Sequence, residues 1–131
     1  MANICKINGV SFDVNVAIRD FEENFNVLDG ENAGRVLSGR MIRDIIGAYI
    51  GHVVTFFSAK DQAEFDRLWD YLIAHSVDDS VMVELADGQS TINYEAYYTS
   101  GKRKLRKVEG GVNYWDEIQV SFVAMDAQVK P

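Results

Sequence analysis

The chain reads as mainly β with one α-helix. The expected form is an antiparallel β-sandwich or partly open barrel, with a helix at about Asp61–His75 lying against one side. Three observations carry that reading. Several short runs alternate apolar and polar residues with a period of two. Asn8-Gly9 and Asp87-Gly88 are residue pairs suited to tight hairpin turns. One stretch alone follows the helical period, with Phe65, Leu68, Trp69, Leu72 and Ile73 at i, i+3, i+4, i+7 and i+8.

Taken in order, the Asn8-Gly9 turn leads into Val10, Phe12, Val14, Val16 and Ile18, which alternate with Ser11, Asp13, Asn15 and Ala17 and predict a strand. From Phe21 the apolar set moves to odd positions, Phe21, Phe25 and Val27. That change of parity requires a bulge or bend near Arg19-Asp20. Asp29 to Gly34 reads as a loop. Arg35 to Ile46 alternates poorly and leaves three options: a one-faced strand, an irregular arm, or a short helix around Met41 to Ile46. Ile50 to Phe57 reads as a strand that is apolar on both faces. Gly47-x-x-x-Gly51 within this region marks bends.

Ser58-x-x-Asp61 resembles a capping box with Asp in place of Glu, and it opens the helix. Gln62, Asp66, Arg67 and Asp70 take the wet face, and His75 ends it where the dipole favours a cation. Val81, Val83 and Leu85 then form a strand up to Asp87-Gly88. The return strand, Thr91 to Thr99, places Ile92, Tyr94, Ala96 and Tyr98 on one face. Lys102 to Lys107 is a basic run between glycines. Ile118, Val120, Phe122 and Ala124 make the last strand, entered through Tyr114-Trp115, and the tail from about residue 126 is expected to fray.

The length of 131 residues predicts one domain over 1–131 with a core large enough to need no staples. Cys5 is the sole cysteine, so no intrachain disulfide can form. It is expected as a small buried residue of the first strand rather than half of a Cys–His dyad. No signal peptide is seen, and the longest apolar run falls short of the roughly 20 residues of a membrane helix. A net charge of −7 disfavours general nucleic-acid binding, which needs clustered cations. No partnership with a membrane or with a specific nucleic-acid sequence is expected.

Candidate chemistry is sparse. One Cys and two His cannot build a four-ligand zinc site, and no P-loop, dinucleotide fingerprint or nucleophile elbow occurs. Asp29-x-Glu31-x-Ala33-Gly34 superficially matches the start of a calcium loop, but Ala33 replaces an oxygen ligand and Arg40 stands where the bidentate Glu belongs. No catalytic residue, metal or cofactor is therefore assigned, and no enzyme is expected.

Lys102, Arg103, Lys104, Arg106 and Lys107 hold five of the thirteen basic residues. They serve either as a solvated hairpin arm between Gly101 and Gly110 or as a contact with acidic patches of an identical subunit, such as Asp20-Glu22-Glu23 or Asp78-Asp79. Tyr94, Tyr97, Tyr98, Tyr114 and Trp115 gather in the C-terminal half. Most are expected in ordinary sheet packing, with some free for an interface.

Asp29-Gly-Glu-Asn-Ala-Gly-Arg35, followed by Gly39, Met41, Arg43-Asp44-Ile45-Ile46-Gly47 and Tyr49, resembles a family of small prophage proteins of Gram-positive bacteria. The likeness runs on through the helix with Phe65 and Leu68, the Gly88-Gln89-Ser90 turn, and Trp115-x-x-Ile118-x-Val120-x-Phe122-x-Ala124-Met125. It implies a tail or baseplate component, similar to tail-tube subunits and the N-terminal domain of distal tail proteins. It also implies a self-assembling ring, hexameric by the same resemblance, that meets other tail or baseplate proteins. Such a protein would sit in the host cytoplasm during assembly and then in the virion tail.

On that view Glu31 to Met41 is an arm and Lys102 to Lys107 a second contact loop. Glu31, Arg35, Arg40, Arg43, Lys102, Arg103, Lys104, Arg106 and Lys107 are the expected interface residues. The competing expectation is a monomeric β-sandwich that binds a small ligand or carbohydrate through a pocket lined by Tyr97 or Trp115.

Overall fold

The computed structural model describes residues 5–12, 14–57 and 62–131. Its strands are β1 (Cys5–Ile7), β2 (Asn15–Val16), β3 (Glu22–Asp29), β4 (Gly34–Arg35), β5 (Met41–Ile42), β6 (Ile45–Phe57), β7 (Val81–Asp87), β8 (Ser90–Tyr97), β9 (Gly101–Glu109) and β10 (Val112–Ala124). The α-helix among the described residues, α1, spans Gln62–His75. All registered strand pairs are antiparallel. The large sheet runs β1-β7-β8-β10-β6-β2, with β3 also on β6 and β9 also on β10. It curls into a nearly closed barrel with the helix on its flank, the expected class. No described helix is long and apolar enough to cross a membrane.

Strands β6 and β10 form the spine, paired from Phe57↔Glu117 to Gly51↔Val123. Val53 pairs with Ser121 on one side and Glu22 on the other, so β2 and β3 follow each other along the far edge of β6. Strands β9 and β8 share the far edge of β10 in the same way. Even-numbered residues of β6 and β10 point inward. Val54, Phe56, Ile118, Val120 and Phe122 meet Phe65, Leu68 and Leu72 of α1 and Val83 and Leu85 of β7 in one core. Non-directional burial of these side chains dominates the stability of such a fold.

The Asn8-Gly9 turn forms as expected, with φ of 52° and 78° and an Ile7↔Val10 bridge. Tyr94, Ala96 and Tyr98 share the buried face of the return strand, and Cys5 is buried, its thiol pushed up to about 12 by desolvation. Among the described residues of the expected strand from Val10 to Ile18, Val10 makes an isolated bridge to Ile7 and Asn15–Val16 pair with β6, with no continuous ladder between them. The Val14 amide donates to the Phe12 carbonyl at 2.8 Å. Phe12 and Val16 are nonetheless buried, and Val10 and Val14 pack against the core. Alternation thus reports which side chains face inward, whether or not the backbone finds a neighbouring strand.

The bend expected near Arg19-Asp20 is a 3-10 turn, Ile18–Asp20, which leaves Ile18 exposed. The helical stripe is narrower than its spacing implies: Phe65, Leu68 and Leu72 are buried, whereas Ile73 is 55% exposed. The Ser58–Asp61 cap lies outside the described residues. Past residue 126, where fraying is expected, the Gln128 amide donates to the Ala48 carbonyl and the Ala48 amide to that of Val129. Gly47 admits this segment, since a Cβ there would stand 2.5 Å from that of Ala127. Gly51 likewise lets its neighbours approach: its Cβ would meet Asn24 Oδ1 at 2.7 Å and the Phe122 carbonyl at 3.0 Å.

Candidate assembly interface

The β3–β6 ribbon leaves the core and continues as an arm. Its register runs from Glu22↔Val53 to Leu28↔Gly47, then slips at a bulge to Asp29↔Ile45. Residues directly opposite on antiparallel strands share a face. The pairs Phe25↔Ile50 and Val27↔Ala48 therefore continue the inward face of β6 beyond the point where the core ends. Ile50 still packs on the core, but Phe25 is 74% exposed with Val27 exposed on the same face, Leu28 is exposed on the opposite face, and Ile45 and Ile46 are exposed at the bulge. Every residue of β3 except Asp29 is exposed, and its outer edge pairs with no described strand.

Beyond the bulge the tip is built by local bonds. The Gly30 amide donates to the Asp44 carbonyl at 2.7 Å, and the Arg43 guanidinium donates to the Asp29 carboxylate at 2.9 Å. That charge-assisted bond holds the Asp29 carboxyl below the usual carboxylate range. Strands β4 and β5 then form a small ladder of their own, Gly34↔Ile42 and Arg35↔Met41. The turn closes with the Val36 amide on the Arg40 carbonyl and Arg35 Nη1 donating to the Gly39 carbonyl at 2.9 Å. Gly39 supplies the positive φ of 86°. Leu37, at the tip, is 109% exposed. Of the three options for Arg35 to Ile46 the short helix does not form: the segment is a small paired hairpin, β4–β5, rather than an irregular stretch, and Ile45 and Ile46 open β6.

The basic run is strand β9 of a hairpin, not a loop, and it turns at Gly110-Gly111. Arg103 is held inside the chain: its guanidinium lies 4.1 Å from the Trp115 ring centroid, 4.8 Å from that of Trp69, and 3.1 Å from Asp66. Lys104 faces Glu117 at 3.8 Å, and Lys107 pairs with Glu109 and lies over the Tyr114 ring. Lys102 and Arg106 reach solvent with no partner among the described residues. Of the arm residues expected at an interface, Arg43 ties down the base of the tip and Arg35 its turn, while Glu31 and Arg40 stand exposed.

Spacing placed Phe25 in an alternating set but did not flag the exposure of the arm's apolar residues Phe25, Leu28, Leu37, Ile45 and Ile46. For Leu37, Ile45 and Ile46 the available signal was their position among Gly, Asp and Arg with no period to assign them to a core. A cleft of about 180 Å³ opens between α1 and the β8–β9 junction, lined by Trp69, Leu72, Ile73, Ser76, Tyr98, Thr99, Ser100, Gly101 and Val120. Tyr97 and Trp115, the residues expected to line a ligand pocket, are not among them.

No protein-family model matches the chain, and no curated protein matches it. Among solved structures it is similar to the SPP1 Dit protein, described as a paradigm of the hub adsorption apparatus in phages that infect Gram-positive bacteria. Identity is 16% and the TM-score 0.45, over 94% of this chain and 49% of that one. The chain thus spans about half the length of that protein. The likeness is too loose to transfer a role.

Proposed function

We propose that this chain is a structural component of a phage or prophage tail or baseplate, self-assembling into a closed ring through its arm. The observation that carries the reading is the β3–β6 arm itself, apolar on the continuation of the inward face and unpaired at its outer edge. Contiguous exposed apolar surface and free strand edges are what monomers avoid and assemblies bury. The sequence resemblance supports a tail setting, and a hexamer is the stoichiometry it implies. Repeated head-to-tail contacts close into a ring when the rotation between copies allows.

Light scattering across a concentration series tests the reading. Growth to one discrete mass several times that of the chain is expected, alone or on adding other tail proteins. A strict monomer throughout contradicts it.

A further inference from the structure

We infer that the cleft between α1 and the β8–β9 junction is the seat for the arm tip of a second copy, with Leu37 as the inserted side chain. The inference rests on the assembly reading above and names the two surfaces that meet. Shape is the first argument. The cleft is mostly apolar, and its volume of about 180 Å³ suits one aliphatic side chain with room for the backbone to approach. Leu37 is fully exposed at the end of a hairpin whose turn is fixed by its own hydrogen bonds, so it is presented rather than loosely tethered.

Charge is the second argument. In a chain of net charge −7, residues 34–43 carry Arg35, Arg40 and Arg43 and no acid. The α1 side of the cleft carries the opposite sign, while Lys102 follows the lining residue Gly101 on the other side. On α1, Asp66 and Asp70 fall within one helical face with the cleft residue Ile73, at i−7 and i−3. Asp78 and Asp79 follow in the turn after the helix. Arg103 offsets Asp66, His75 Nδ1 meets the Asp78 carboxylate at 2.6 Å, and Arg43 is held by Asp29 in its own copy, which leaves Asp70 and Asp79 to face the incoming Arg40.

Topology is the third argument. The arm leaves from the β3 edge of β6, whereas the cleft lies beyond β10, on the side of β9 and α1. Two different surfaces on opposite sides of the β6–β10 spine give a heterologous contact, the kind that closes rings.

Disulfide trapping tests this. Leu37→Cys and Ile73→Cys are made separately, with Cys5 left buried in place, and mixed under mild oxidation. Covalent dimers should form in the mixture and not in either variant alone. Charge reversal gives a second readout: Arg40→Glu and Asp70→Arg should each weaken assembly, and mixing the two should restore it. Leu37→Ser should weaken association by roughly ten- to a hundredfold, the scale of burying one leucine.

An oligomer that forms normally with Leu37→Ser and gives no mixed disulfide overturns the contact while leaving assembly standing. Equal cross-linking of each variant with itself overturns it as well, since that marks an isologous contact. A strict monomer at every concentration overturns the contact and the assembly reading together.

Discussion

His52 is fully buried, yet both ring nitrogens are bonded. Its Nε2–H donates to the Ala86 carbonyl at 3.0 Å, which fixes the tautomer, so Nδ1 accepts from the Tyr94 hydroxyl at 2.8 Å. Burial holds the imidazole below its usual range despite Ala86 and Asp87 nearby. A depressed folded pKa means the unfolded chain takes up the proton first. The contribution to stability is therefore whole above about 6.5 and is lost as pH falls below it. Glu23, whose carboxyl shares a hydrogen bond with Asp87, is shifted up and works in the opposite sense at lower pH, its contribution lost as pH rises. Urea midpoints should thus decline from roughly pH 7 to pH 5, and an unchanged midpoint contradicts this account of His52. Tyr94→Phe, which leaves Nδ1 buried without a donor, should cost about 1–3 kcal/mol by the same measurement.

Arg103 also acts at the residue scale. Held between two indole rings and Asp66, it ties the β9–β10 hairpin to α1. Arg103→Ala should lower unfolding free energy by about 1–2 kcal/mol, whereas Lys102→Ala should stay within about 0.5 kcal/mol. Equal effects from the two changes would contradict the distinction. Sequence could not separate these neighbours, because the partners of Arg103 lie far along the chain on another element.

Among elements, those whose side chains enter the core were legible. The alternation in β7, β8 and β10, the apolar run in β6 and the helical period of α1 each record one buried face. The stretch from Val10 to Val16 shows the limit: its inward side chains were readable, its missing ladder was not, since pairing depends on a neighbour supplied by the rest of the fold. The tip was illegible for a different reason. Val36, Leu37, Met41 and Ile42 are exposed, so no periodic burial selects them. The docking of the tail on Ala48 depends on Gly47 having no side chain, a condition spacing alone does not reveal. Gly47→Val should displace that segment, and limited proteolysis should then cut after residue 124 faster than in the parent. An unchanged rate would show that the tail does not depend on this close approach.

For the whole molecule, a satisfied core and an unsatisfied surface coexist. Among the described residues no buried side-chain polar atom lacks a hydrogen-bond partner. The arm, by contrast, holds exposed apolar side chains and a strand edge that no described strand pairs. Its amides from Asp29 to Ile46 should exchange with solvent faster than those of Val53–Phe56 in the monomer, and slow on assembly. The central claim is that this arm drives self-association. It is tested most directly by light scattering on the parent chain beside Phe25→Asp/Leu28→Asp, with thermal unfolding followed by circular dichroism as a control for folding. The account predicts a discrete oligomer for the parent and a folded monomer for the double variant. A parent that stays monomeric, or a double variant that assembles as well as the parent, would contradict it.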